Sequence, residues 1–170
     1  MPGSTTTESA PTSSVATTVA PPADPETEVR ATLDQSFADF SECLTEMPTC
    51  DPSILEATRA GELLDGNVAR INEWNAAGYT VMDRDQYRYV IEAVEIGNDL
   101  TTANALVCLA DGSKLIEPGG ASDGSDLIID DQFVSGRESW RLQLSADGMW
   151  RAIAAPAVGA TEESDICPAA

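Results

Sequence analysis

Histidine is absent from the 170 residues, and lysine occurs once, at Lys114. Without an imidazole there is no Ser-His-Asp or Cys-His nucleophile pair and no histidine-ligated metal. Basic residues number 9 against 29 acidic ones, a formal net charge of −20. A surface of that sign repels phosphate backbones and anionic lipid headgroups, so binding to nucleic acid or directly to a membrane surface is not expected. The acidity itself reads as solubility or salt adaptation. No apolar run is long enough to span a bilayer. Cysteine is scarce, at Cys43, Cys50, Cys108 and Cys167 only. A zinc site would need all four, and structural zinc cysteines come as close pairs, which these are not. A Cys-x-x-Cys redox motif is missing too. The stretch DGSDLIIDD (123–131) lacks the ligand spacing of an EF-hand loop. No metal and no cofactor are therefore expected.

An even set of widely spaced cysteines in a small acidic chain fits two disulfides, and hence an oxidising compartment. Residues 1–24 are almost all Thr, Ser, Pro and Ala, a composition that buries no apolar surface and is expected to be disordered. They contain neither a basic n-region nor an apolar h-region, so no secretory signal is read within them. A Thr/Pro-rich tether ahead of a disulfide-bearing domain, residues 25–170, looks like the stalk of an exported bacterial lipoprotein whose signal and lipid-bearing cysteine have been removed. The expected location is secreted or extracytoplasmic, with lipid anchoring to the cell envelope as one form of it.

The domain opens with a helix signal. Asp24 is a cap, Pro25 suits the first turn, and Glu26 and Glu28 favour the positive end of the helix dipole. Val29, Leu33, Phe37, Phe40 and Leu44 then recur at three- and four-residue steps, which predicts one apolar stripe on a helix of about eighteen residues. Pro48 stops it, and Asp51-Pro52 repeats the start signal before a second helical stretch through Ile54, Leu55 and Thr58. Cys43 and Cys50 thus flank one helix–helix turn. A third helix runs through Leu64, Val68, Ile71 and Trp74 and stops at Gly78. The period then changes to that of strands at 87–96, 101–110, 113–117, 127–144 and 149–155, separated by Gly/Asn/Asp turns and a loop at 118–126. Gly136 marks a bulge or bend in the longest of them. Cys108 falls mid-strand and Cys167 in a tail after the last strand, so a bond between them pins that tail to the sheet. Cys43–Cys50 with Cys108–Cys167 is the expected pairing, and two other connectivities stay open on sequence grounds.

Helices followed by an antiparallel meander define an α+β domain. Three helices, a bent sheet and the closing strand DGMWRAIAA, with Asp147, Gly148, Trp150 and Arg151 in a DG-x-W-R signature, resemble the nuclear-transport-factor-2-like fold, also called cystatin-like. The placing of Cys43, Cys50-Asp51, Cys108 and Cys167 is similar to that of small exported envelope proteins of actinobacteria. The resemblance spans about residues 26–167. It implies three N-terminal helices packed on a strongly curved antiparallel sheet that forms a cone, with room for a small apolar ligand between sheet and helices. Relatives with this fold include ketosteroid isomerases and dehydratases, accessory domains and dimerisation modules, so fold alone does not decide function.

Chemistry in such a cone needs a buried base facing an acid or oxyanion donor. Asp130, Asp131, Glu138, Tyr87, Tyr89 and Arg137 are the residues that qualify by type, and no adjacent pair among them marks an isomerase pattern. Asp130-Asp131 reads as an exposed strand rim. Glu138 and Arg141 lie on opposite faces of a strand. The strand centres offer mainly Val90, Ile91, Leu106, Val107, Leu142 and Leu144, an interior without proton carriers, so no catalytic residue is assigned. Trp74, Tyr89 and Trp140 are the candidate pocket-lining residues, with plain core packing as the alternative. The expected function is a non-catalytic, exported envelope module that binds a small apolar molecule or an envelope protein. The alternatives are a cone-type isomerase or hydrolyase using a buried carboxylate, and a structural domain that forms a homodimer through its outer sheet face. With no apolar anchor in the tether, limited proteolysis is expected to trim the chain to about residue 25 and leave the rest folded; a tether that resists cleavage contradicts this.

Overall fold

The computed structural model describes residues 24–168. The tether assigned to residues 1–24 lies, except for Asp24, outside the described residues. Helix α1 runs from Pro25 to Glu46, 22 residues, longer than the periodicity alone predicts. Asp24 accepts hydrogen bonds from the amides of Glu26 (3.1 Å) and Thr27 (3.2 Å), satisfying two of the orphan donors of the first turn. Its buried face is Val29, Leu33, Ser36, Phe37, Asp39, Cys43 and Leu44. The second helical stretch is a 3₁₀ helix, Pro52–Ala57, capped by Asp51. Helix α2, Gly61–Ala77, ends where Gly78 takes φ 75° and donates to the Asn75 carbonyl, while Tyr79 donates to that of Trp74, a left-handed cap that favours glycine.

Eight strands follow: β1 (Thr80–Met82), β2 (Arg88–Ile96), β3 (Thr102–Asp111), β4 (Lys114–Glu117), β5 (Leu127–Asp130), β6 (Val134–Leu144), β7 (Trp150–Ala154) and β8 (Ala157–Glu162). Among the described residues they form two antiparallel sheets and no closed barrel, where the strand pattern predicts one sheet and the resemblance implies a strongly curved one. The larger has the order β2-β3-β6-β7, with β8 also paired to β6; the smaller is β1-β4-β5. Three features differ from the sequence expectation. The strand predicted over 127–144 breaks at residues 131–133, because the Asp130 carboxylate accepts from the Gln132 amide and turns the chain, so β5 and β6 belong to different sheets. The short strands β1 and β8 are additional. Strands β7 and β8 share one edge of β6, β7 along Arg141–Leu144 and β8 along Ser135–Glu138, with Ser139 donating to the Pro156 carbonyl between them. Gly136 does sit at a register shift, where a Cβ would lie 3.2 Å from Thr161 Cγ2.

The core lies between α1 and the larger sheet. Val29, Leu33 and Phe37 pack on Ala103, Ala105, Val107, Trp140, Leu142, Trp150 and Ala152. Ala103 and Ala105 of β3 are buried in this cluster. Trp150, from the DG-x-W-R hairpin, is 3% exposed and donates its indole N–H to Glu28. A second apolar cluster of Cys43, Met47, Cys50, Leu55 and Ile71 fills the space between the helices.

Both disulfides lie where the chain needs a tether. Cys43–Cys50 spans the α1–3₁₀ turn, and Cys108–Cys167 joins mid-β3 to the tail. The tail is held further by Arg88, which pairs with Asp165 and donates to the carbonyls of Cys167 and Pro168. Non-reducing peptide mapping should recover these two linkages and no free thiol. Replacing Cys108 and Cys167 by serine is expected to cost about 4 kcal/mol, against about 2.5 kcal/mol for Cys43 and Cys50, because the first pair closes much the longer loop. Equal losses in denaturant unfolding would contradict the loop-closure account.

Candidate functional site

A cavity of about 390 Å³ opens where α1, α2 and the two sheets meet. Its apolar lining is Phe37, Phe40 and Leu44 from α1, Leu63 and Trp74 from α2, Leu109 from β3 and Trp140 from β6. Interspersed with it are Arg59, Asn67, Arg70, Tyr87, Asp111, Asp130 and Glu138. The expectation of an interior without ionisable groups therefore does not hold. It fails because β6 presents Glu138 and Trp140 on one face, and the Trp140 ring must be buried.

Arg59 is the deepest of the polar groups, 3% exposed. It follows the 3₁₀ helix, and its guanidinium spans from α2 to α1. Nε donates to Ser36 Oγ (2.8 Å), Nη2 to the Ser36 carbonyl (2.9 Å) and Nη1 to Asn67 Oδ1. It sits 4.9 Å from the Phe40 ring centroid and 5.7 Å from that of Trp140, distances at which an aromatic face attracts a cation. Among the described residues no carboxylate comes within 4.0 Å of it. Burial works against its charge, which the Asp39 and Glu138 carboxylates support only at longer range. Asp39, itself 5% exposed, is committed to Gln35 (2.6 Å) and Thr58 (3.2 Å).

Glu138 accepts from Trp140 Nε1 at 2.9 Å. Burial pushes its carboxyl up from the ordinary glutamate value; the indole hydrogen bond and the Arg59 charge oppose that without cancelling it. The Tyr87 phenol is pushed far up, again by burial, with Arg59 pulling the other way. Asp111 is spent closing its own turn, accepting from the Ser113 amide and hydroxyl.

Of the candidate lining residues, Trp74 and Trp140 border the cavity. Tyr89 does not. It stacks on Phe37 with centroids 3.9 Å apart, donates to Asp34 at 3.0 Å, and faces a separate, more open hollow with Ala38 and Ser41. Its phenol is raised to about 12 by burial and by that carboxylate. Asp130 and Asp131 are exposed, Asp130 at the cavity mouth. Arg137 faces the opposite side of the sheet, where it makes two 2.8 Å bonds to Glu92. Arg59 and Asn67 carry no signal in the sequence, since Arg59 lies in a turn where no periodicity assigns it a face. No group of three or more potential metal ligands occurs among the described residues, and no helix there is long and apolar enough to cross a membrane.

No protein-family model matches the chain, and no curated protein does. Among solved structures, the intermembrane-space region of the chloroplast protein ARC6 superposes with a TM-score of 0.56 at 14% identity, over 82% of this chain and 100% of that one. A ketosteroid isomerase-like protein from Erwinia carotovora atroseptica superposes with 0.48 at 15% identity, over 76% and 91%. A protein from Kribbella flavida gives 0.49 at 16%, over 82% and 95%. At these identities the likeness to ARC6 is one of fold. The order of helices and antiparallel strands is consistent with the nuclear-transport-factor-2-like expectation.

A carboxyl raised by the fold is favoured in its neutral form. Its contribution to stability is present below the ordinary value of 4.5 and is lost as pH rises through the raised one. Glu138→Gln, neutral throughout, is expected to be more stable than the native chain at about pH 7 and equal to it at about pH 4. Denaturant unfolding at the two pH values reads this directly, and a variant less stable at neutral pH refutes it.

Proposed function

We propose that the chain is an exported, non-catalytic module of the cell envelope that binds a small organic molecule in the cavity between α1, α2 and the two sheets. In this reading residues 1–24 are a stalk and residues 25–170 a nuclear-transport-factor-2-like domain of the actinobacterial exported type. The observation that carries it is the cavity itself: about 390 Å³, at the meeting of both sheets and two helices, in the size range of small-ligand sites. Its mixed lining favours a ligand with an apolar body and a polar end over a purely apolar one. Two disulfides fit an oxidising compartment, and the fold-mate from ARC6 is an intermembrane-space region.

A second reading, an isomerase or hydrolyase working through a buried carboxylate, has Glu138 in its favour, since burial and a raised carboxyl are what a general base needs. Against it, the described residues include no hydrogen bond from a tyrosine to Glu138, and the Trp140 indole already holds one of its oxygens.

Leu63, on α2 at the cavity wall, is the position to fill. The neutral dye N-phenyl-1-naphthylamine should bind the native chain one to one with enhanced fluorescence. Leu63→Trp is expected to cut its affinity about tenfold or more by occupying the space, with the melting temperature little changed. Undiminished dye binding in that variant would place the ligand elsewhere.

A further inference from the structure

We infer that the ligand of this cavity carries a single carboxylate on an aromatic or apolar ring system, and that Arg59 receives it. The inference rests on the reading of the cavity as a binding site and adds the chemical class of what it binds. All nine basic side chains lie within the described residues, and five of them are in ion pairs with acids at the surface. Arg84 and Arg141 are exposed to water and away from the cavity, and Arg70, also exposed, lies at the cavity rim over the Trp74 ring, where water already solvates its charge. Arg59 alone is both buried and without a carboxylate partner in contact, and it borders the cavity. A charge withdrawn from water that far is costly unless an opposite charge reaches it.

Its hydrogen bonds go to neutral acceptors: a hydroxyl, a backbone carbonyl and a side-chain amide. A guanidinium has five N–H groups, so one remains on each of Nη1 and Nη2. The carboxylates near enough to act on it are already committed, Asp39 to Gln35 and Thr58, Glu138 to Trp140. Phe40 and Trp140 flank the guanidinium with ring faces and at the same time line the cavity. A flat apolar body placed against those rings therefore brings an attached carboxylate to the free N–H groups. Three acids, Glu138, Asp111 and Asp130, border the same space against two cations, Arg59 and the rim residue Arg70, so a second negative group on the ligand is disfavoured.

Arg59 also ties α1 to α2, so its removal would confuse binding with folding. The test instead varies the ligand and Glu138. Full-length protein is titrated at neutral pH with 2-naphthoate and with its uncharged counterpart 2-naphthamide, by calorimetry and by the NMR shift of the Trp140 indole N–H. The acid is expected to bind about tenfold more tightly than the amide, the margin of a charge-assisted over a neutral hydrogen bond. Glu138→Gln retains an acceptor for Trp140 and removes a like charge, so it should raise the preference for naphthoate over naphthamide severalfold. Equal binding of acid and amide, or a Glu138→Gln variant that treats both alike, overturns the carboxylate assignment while the cavity still binds. No binding by either probe, with an unmoved indole signal, overturns the cavity reading and this inference with it.

Discussion

The Arg59 guanidinium lies where α1, α2 and the larger sheet converge, bonded to Ser36 on one helix and Asn67 on the other, with the Phe40 and Trp140 rings beside it. Much of the surrounding geometry follows from satisfying that one group. Ser36 must point inward from α1, in line with Phe37 and Asp39, and it is fully buried. Asn67 must face inward from α2, and it bonds in turn to the Leu63 carbonyl at 2.6 Å. With a planar cation between them the two helices cannot close on each other as apolar faces would. The cavity borders this cation on one side and both sheets on the other, while the apolar cluster of Cys43, Met47, Cys50, Leu55 and Ile71 fills the rest of the space between the helices.

Around this centre the two sheets divide the work. The larger one supplies the packed face on which α1 rests, with β3 contributing alanines and β6 and β7 the tryptophans. The smaller sheet lies at the cavity end, where Val81, Leu115 and Asp130 reach the lining. The separation depends on the short turn after Asp130. Were β5 and β6 one continuous strand, there would be no second sheet to wall the site.

The sequence makes local features legible where a single side chain decides them. Asp24-Pro25 starts α1 and Gly78 ends α2 as read, because a cap or a left-handed residue needs no knowledge of the rest of the chain. The stripe from Val29 to Leu44 points to the core for the same reason. The break at residues 131–133 is not legible, since LIIDDQFV carries β-branched residues on both sides and an aspartate that turns the chain looks like one that merely solvates a strand. The site shows the same division. Trp74 and Trp140 stand out as large aromatics that need cover, and both border the cavity. Tyr89 looks equivalent and is not, because Phe37 takes its ring face. For Glu138 alternation puts it opposite Arg141, but which face is inward is settled only by Trp140 and Leu142 packing against α1. Arg59 depends on three elements at once, and no local pattern announces it.

The Cys108–Cys167 bond has a consequence beyond its effect on the unfolded chain. It closes β4 through β8, the exposed 118–126 loop included, into a covalent ring hung from the middle of β3. A protease that cuts once inside that ring does not release a fragment: both new ends stay attached to the same molecule, the strands keep their neighbours, and the mass changes only by one water. Such a nick is a wound the fold can carry.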